Sequence, residues 1–141
     1  MNSVNEENGA MGSHRYCLLC GSENPLSMRL SFRNNQDGSV TADFQSHNHL
    51  QGYNGIMHGG VISALLDSVM TNCLFRNGIE AVTGELTVKF FESVPCNARV
   101  HLSAKIEKSM SPLYLVSAQL LCNGKLMAGA NAKFMMKKVL V

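Results

Sequence analysis

The sequence predicts an α+β domain in which one enclosed helix packs on an antiparallel sheet. Three observations predict it. Apolar and polar residues alternate over six segments, one long apolar run contains no proline, and turn-forming Gly and Asn residues separate several of the segments. Alternation is the period of a half-buried strand, and a single helix laid on such strands is a two-layer architecture.

Taken in order, "MRLSFRN" (28–34) sets Met28, Leu30 and Phe32 against Arg29, Ser31 and Arg33, and "SVTADFQ" (39–45) sets Val40, Ala42 and Phe44 against Thr41 and Asp43. The "NNQDG" between them is hairpin chemistry, with Gly38 supplying positive φ, so the domain opens on a predicted hairpin. A polar loop, "SHNHLQGYNGIM", follows. A helix is predicted over 59–76, ended by Asn77-Gly78. Its apolar residues, from Val61 and Ile62 to Leu74 and Phe75, cover most of the circumference rather than one stripe. Such a helix is enclosed by its own chain or by a partner. Four more strands are predicted, over 81–91, 97–108, 113–123 and 125–138, the last two joined by the hairpin turn Asn123-Gly124.

The 141 residues are enough for one domain with a real core. We expect a disordered tail over 1–13 and one domain over 14–141. A net charge of +2 without a long basic run argues against nucleic acid as the main partner. No apolar run is long enough to span a membrane, and the N-terminus lacks the apolar stretch of a signal peptide. Five cysteines at irregular spacing do not form a secreted disulfide framework, which points to a reducing, cytoplasmic setting.

The chemistry concentrates in "HGGVISALLD" (58–67). The glycines permit a sharp entry and close approach of a ligand. The first N–H groups of a helix lack internal partners and lie at the positive end of its dipole, where a carbonyl oxygen would be polarised. Asp67 puts a carboxylate among apolar residues. Either it faces a solvent gap or accepts hydrogen bonds from Ser63, Ser68 or Thr71, or it is held for use as a base or nucleophile. Asp67 follows His58 by nine positions. That is about half a turn in direction and ~13 Å along the axis. One helix therefore cannot aim both its N-terminus and this acid at one carbonyl, whereas two antiparallel helices from two chains can.

"HGGVISALLD", entered by "GYNGIM", resembles the motif of hotdog-fold acyl-CoA thioesterases of the PaaI type, in the 4-hydroxybenzoyl-CoA thioesterase superfamily. "CLLCGSENPLSMRLSF" is similar to the C-x-x-C-G-x-x-N-P-x-G-L opening of one branch. The resemblance spans residues ~14–137. It implies an antiparallel sheet wrapped around one long central helix, a dimer or dimer of dimers, and hydrolysis of acyl-CoA without a cofactor or metal. By the same resemblance, the Gly60 N–H would hold the thioester oxygen, with His58 and Gly59 shaping the turn. Asp67 of the partner subunit would activate water or attack directly, and Thr83 would help to place the water. Gly52 stands where many such enzymes have Asn, which leaves Gln51 or Asn54 to take its place. Ser68 follows the acid where that branch often has Glu.

Two other function classes compete: an acyl-CoA-binding protein in which Asp67 is structural, and a dehydratase of 3-hydroxyacyl thioesters, against which the H-G-G spacing argues. Cys17 and Cys20, with His14 as a third ligand, invite zinc, but a structural site commonly has two such pairs. The expectation is therefore a turn with buried thiols. His47 and His49 are read as polar loop residues, and His101 as a residue of a strand's outer face or end. Lys89, Lys105, Lys108, Lys137 and Lys138 are read as solvated lysines that could meet CoA phosphates.

Overall fold

A computed structural model describes residues 12–137. Residues 1–11 of the expected tail, and Lys138, lie outside the described residues. The chain divides between Ser31 and Phe32 into two compact units.

In the first unit, residues 12–31 form turns with no helix or strand. The strand predicted over 28–34 is therefore reduced to its last two residues, β1 (Arg33–Asn34). Arg29 takes a left-handed φ of 57°, which breaks the extended run that the alternation suggested.

The second unit holds the sheet and the helix. After β1 come β2 (Val40–Gln45), a short 3₁₀ turn (Asn48–Leu50) and the helix α1 (Gly59–Arg76). The strands β3 (Ala81–Phe90), β4 (Arg99–Met110), β5 (Leu113–Cys122) and β6 (Lys125–Met136) complete it. All pairings are antiparallel, in the order β1-β2-β4-β5-β6-β3. Asn123 and Gly124 both have positive φ, 51° and 79°, as the two-residue turn joining β5 and β6 requires. This is the hotdog arrangement expected from the sequence.

α1 ends as predicted: Asn77 is the C-cap and Gly78 turns the chain at φ 84°. Leu65, Leu66, Val69, Met70, Cys73 and Leu74 are fully buried. They lie on the sheet face built by Val40, Val100, Leu102, Val116, Leu120 and Phe134. Burial pushes the Cys73 thiol up to about 11, so it behaves as an inert core group. Enclosure is not complete, however. Gly60 is exposed, and Ala64, Asp67, Thr71 and Phe75, spaced three or four apart, are only half-buried.

β3 departs from the sequence reading in depth rather than in extent. Only Ala81 of its ten residues is buried, and Leu86, Val88 and Phe90 do not join the core. The reason is position: β3 lies at the end of the sheet and, among the described residues, pairs with β6 alone.

Leu66→Ala should destabilise the fold by about 2–5 kcal/mol, since the fully buried site leaves a cavity. Urea unfolding followed by circular dichroism measures it.

Candidate functional site

The entry to α1 is organised by His58. As N-cap, its Nδ1 accepts the Gly60 N–H at 2.8 Å, and its carbonyl accepts from Val61 and Ile62. A ring that accepts at Nδ1 carries its proton at Nε2, leaving that N–H as a donor. Gly60 makes the cap possible, because a Cβ there would lie 3.0 Å from both Nδ1 and Cε1 of His58. The Gly60 N–H, expected from the sequence to hold the thioester oxygen, thus donates to the His58 ring in this structure. Gly59 is the first residue of the helix, where an N–H has no intrahelical acceptor.

Gly59 and His58 line an open cavity of about 680 Å³. Its apolar walls include Ile62, Phe90, Phe91 and Val94. Gly52 also lines it, and a Cβ at Gly52 would meet only ordinary contacts with His58. Gln51 and Asn54 are not among the lining residues. The Gln51 Oε1 accepts the Gly55 N–H at 2.9 Å, so its carbonyl closes the loop before the helix.

Asp67 lies elsewhere. It does not line the cavity; it sits on the half-buried stripe of α1, where Thr83 Oγ1 donates to its Oδ1 at 2.6 Å. None of the hydroxyls proposed from the sequence as its partners reaches the carboxylate: Thr71 donates to the Asp67 backbone carbonyl, Ser63 to that of Gly59, and the buried Ser68 Oγ has no hydrogen-bond partner among the described residues. Thr83 is aimed by a bulge. Thr83 and Glu85 pair with the adjacent residues Phe134 and Lys133, which leaves Gly84 as the extra residue. One chain therefore brings together Asp67 with Thr83, and His58 with Gly59, in two separate places.

Gly84, Phe90 and Phe91 escaped the sequence reading. A glycine inside an alternating strand is a bulge signal. Two adjacent aromatics ending a strand, 53% and 55% exposed here, signal a surface kept apolar for a ligand or partner.

The remaining candidates are peripheral. His47 and His49 are exposed and touch edge to face, and neither lines the cavity. Lys105 and Lys137 pair with Glu107 and Glu80. Cys17 and Cys20 lie half-buried in a turn. Hydrogen bonding with Cys20, then with His14, holds the Cys17 thiol well below its usual range, while burial opposes.

His101, on β4, contacts Asp43 at 2.9 Å, and Arg33 donates to the other oxygen of that carboxylate at 2.9 Å. These partners, His101 first, hold Asp43 below the ordinary carboxylate range. A depressed folded pKa stabilises above the unfolded value, about 3.9, and that contribution is lost as pH falls through the folded value. Asp43→Asn should therefore cost up to about 1 kcal/mol at neutral pH for this solvent-screened cluster. The difference from wild type should close in acid, as read from denaturation midpoints over a pH series.

Residues 54–111 match the model of the thioesterase superfamily. A solved thioesterase superfamily protein superposes with a TM-score of 0.81 at 20% identity, over 95% of this chain and 79% of that one. The chain shares the hotdog fold with that protein, and its residues 54–111 resemble the thioesterase superfamily. Another solved structure, smu.793 from Streptococcus mutans UA159 bound to acetyl CoA, superposes at 0.72 with 16% identity, covering 77% of this chain and 88% of that one. Acyl-coenzyme A thioesterase THEM4 of Rattus norvegicus is 30% identical over 55% of this chain and 33% of its own length. The Bos taurus protein of that name is 29% identical over 55% of this chain and 31% of its own. The chain thus spans about a third of the length of the curated relatives it matches. No helix among its described residues is long and apolar enough to cross a membrane.

Proposed function

We propose that the chain hydrolyses acyl-CoA thioesters in a site shared by two copies, each supplying the half that the other lacks. The observation that carries this reading is the position of the Asp67–Thr83 pair on the half-buried stripe beside the unpaired edge of β3, away from the cavity at the helix N-terminus. A second copy laid antiparallel against that edge would cover Val82, Leu86 and Phe90 and bring its carboxylate to the first copy's cavity. Acyl-CoA as substrate rests on the acyl-coenzyme A thioesterases among the relatives and on acetyl CoA in a solved neighbour. The apolar cavity walls suit the acyl portion. The absence of disulfides among the described cysteines fits a cytoplasmic setting.

In this reaction the thioester oxygen approaches the Gly59 N–H and the His58 Nε2–H. Asp67 of the partner subunit, oriented by Thr83, takes a proton from water as the water oxygen attacks the carbonyl carbon. The C–S bond then breaks, the thiolate takes up the proton, and a carboxylic acid and CoA leave. In an equivalent route the carboxylate attacks first and water cleaves the resulting anhydride. A second reading, acyl-CoA binding without turnover, is favoured by the commitment of the Gly60 N–H to His58 and by Gly52 in place of Asn.

Thiol release over a series of acyl-CoAs separates the two. Asp67→Asn should lower kcat by about 10²- to 10⁴-fold with little change in binding. Thr83→Val should cost about tenfold or more through loss of one hydrogen bond to a charged group. Binding without thiol release by wild type would establish the second reading.

Sharing of the site is read by complementation. Asp67→Asn and Gly59→Val are each expected to be inactive, and mixed subunits should recover activity through sites that contain neither lesion. No recovery in verified mixed dimers would place the whole site on one chain.

A further inference from the structure

Outside the thioesterase site, the opening unit gathers three metal-ligating side chains. The ligand atoms of His14, Cys17 and Cys20 all lie within 4.8 Å of one another, and Cys20 Sγ is 3.8 Å from His14 Nδ1. Tetrahedral zinc, with Zn–S of about 2.3 Å and Zn–N of about 2.0–2.1 Å, sets S···N edges near ~3.5 Å. The observed spacing is therefore that of a coordination edge with little rearrangement. We propose that His14, Cys17 and Cys20 bind one zinc ion, with water in the fourth position.

The surrounding backbone supports the donors. The Leu19 N–H points to Cys17 Sγ at 3.4 Å, and the Gly21 N–H donates to the Cys17 carbonyl at 2.9 Å. The first of these is the kind of outer contact that orients a coordinating thiolate. Gly21 closes the turn so tightly that a Cβ there would lie 2.5 Å from the Cys17 nitrogen and 2.6 Å from the carbonyl oxygens of Arg15 and Cys17. No other residue type fits without moving the backbone that carries the ligands.

Backbone hydrogen bonds such as Glu23 N–H to the Arg15 carbonyl and Met28 N–H to that of Leu18 hold the unit's turns, but it has little apolar core. Of residues 12–31 only Gly21 and Leu30 are buried, and Tyr16, Leu18 and Leu26 are exposed. A segment with so little core is the kind that metals or disulfides secure. Neither cysteine is in a disulfide. Two thiolates and an imidazole select zinc over magnesium or calcium, which prefer oxygen donors. Binding would hold both sulfurs as thiolates and fix residues 14–21 as one turn.

The test uses the full chain without a histidine tag, purified under reductant, with zinc measured by plasma mass spectrometry and cobalt(II) used as a spectroscopic probe. Wild type is expected to retain about one zinc per chain after desalting and, with cobalt, to show thiolate-to-metal charge transfer and tetrahedral d–d bands. Cys17→Ser/Cys20→Ser should lose both signals, and His14→Ala should weaken cobalt binding by about tenfold or more. Circular dichroism confirms that the variants keep the sheet. Should a variant fail to fold, metal content and chelator release on wild type still decide. A reduced wild type with no retained zinc and no charge-transfer band overturns the proposal. So does a band that survives in the double variant, or a Cys17–Cys20 disulfide in zinc-free native protein.

Discussion

The distance along α1 from its first turn to Asp67 is the constraint on which the rest depends. A helix rises about 1.5 Å per residue, so Gly59 and Asp67 stand two turns apart, ~12 Å along the axis. The fully buried face of α1, packed on the sheet, leaves no freedom to bend that separation away. The polarising end of the helix and its carboxylate are therefore two fixed fragments. A thioester carbonyl and the water that attacks it must lie within a few ångströms of one another, which one rigid helix cannot span.

β3 turns this constraint into a surface. Among the described residues it is an end strand with one edge unpaired, and its exposed side chains include Val82, Leu86 and Phe90 beside Glu85 and Lys89. An apolar free edge favours pairing with another chain unless something covers it. The bulge at Gly84 adds a local purpose, because it aims Thr83 at Asp67 where a regular strand would alternate away. The strand that would form the contact between copies is thus also the strand that orients the acid. In the proposed pairing, assembly and catalysis depend on the same few residues.

Much of this was legible in the sequence, for identifiable reasons. α1 was bounded correctly because His58, the glycines, the apolar run and Asn77-Gly78 agree with one another. β4, β5 and β6 were read to within about two residues, since alternation and the Asn123-Gly124 turn are local signals. The misreadings share a cause: each depended on a neighbour in space. Met28–Phe32 alternates like a strand, but a strand exists only where a partner pairs with it, and β1 finds two pairs. Alternation in β3 marked faces without revealing that neither face would be deeply covered. His58, Gly59, Asp67 and Thr83 were singled out by the family resemblance, yet the hydroxyl that bonds the Asp67 carboxylate is that of Thr83 rather than one of its own helix, because side chains three or four apart bond to backbone carbonyls more readily than to one another.

In the proposed reaction, the cap at His58 decides which amide can act on a substrate. Of the first N–H groups of α1, that of Gly60 donates a hydrogen bond to the His58 ring, and those of Val61 and Ile62 donate to the His58 carbonyl. Gly59 is the amide that remains, and it lines the cavity. The ring that caps is also a ring whose other nitrogen carries a proton, and it lines the same cavity. Donors held in place before the reaction stabilise developing charge without reorganising. If the His58 ring turned away to release the Gly60 N–H, the site would exchange an oriented Nε2–H for a second backbone amide and lose the cap that fixes the first turn. Keeping the ring where it is retains two fixed donors of different kinds. On this reading, commitment of the Gly60 amide is the condition under which Gly59 and His58 can polarise one oxygen together.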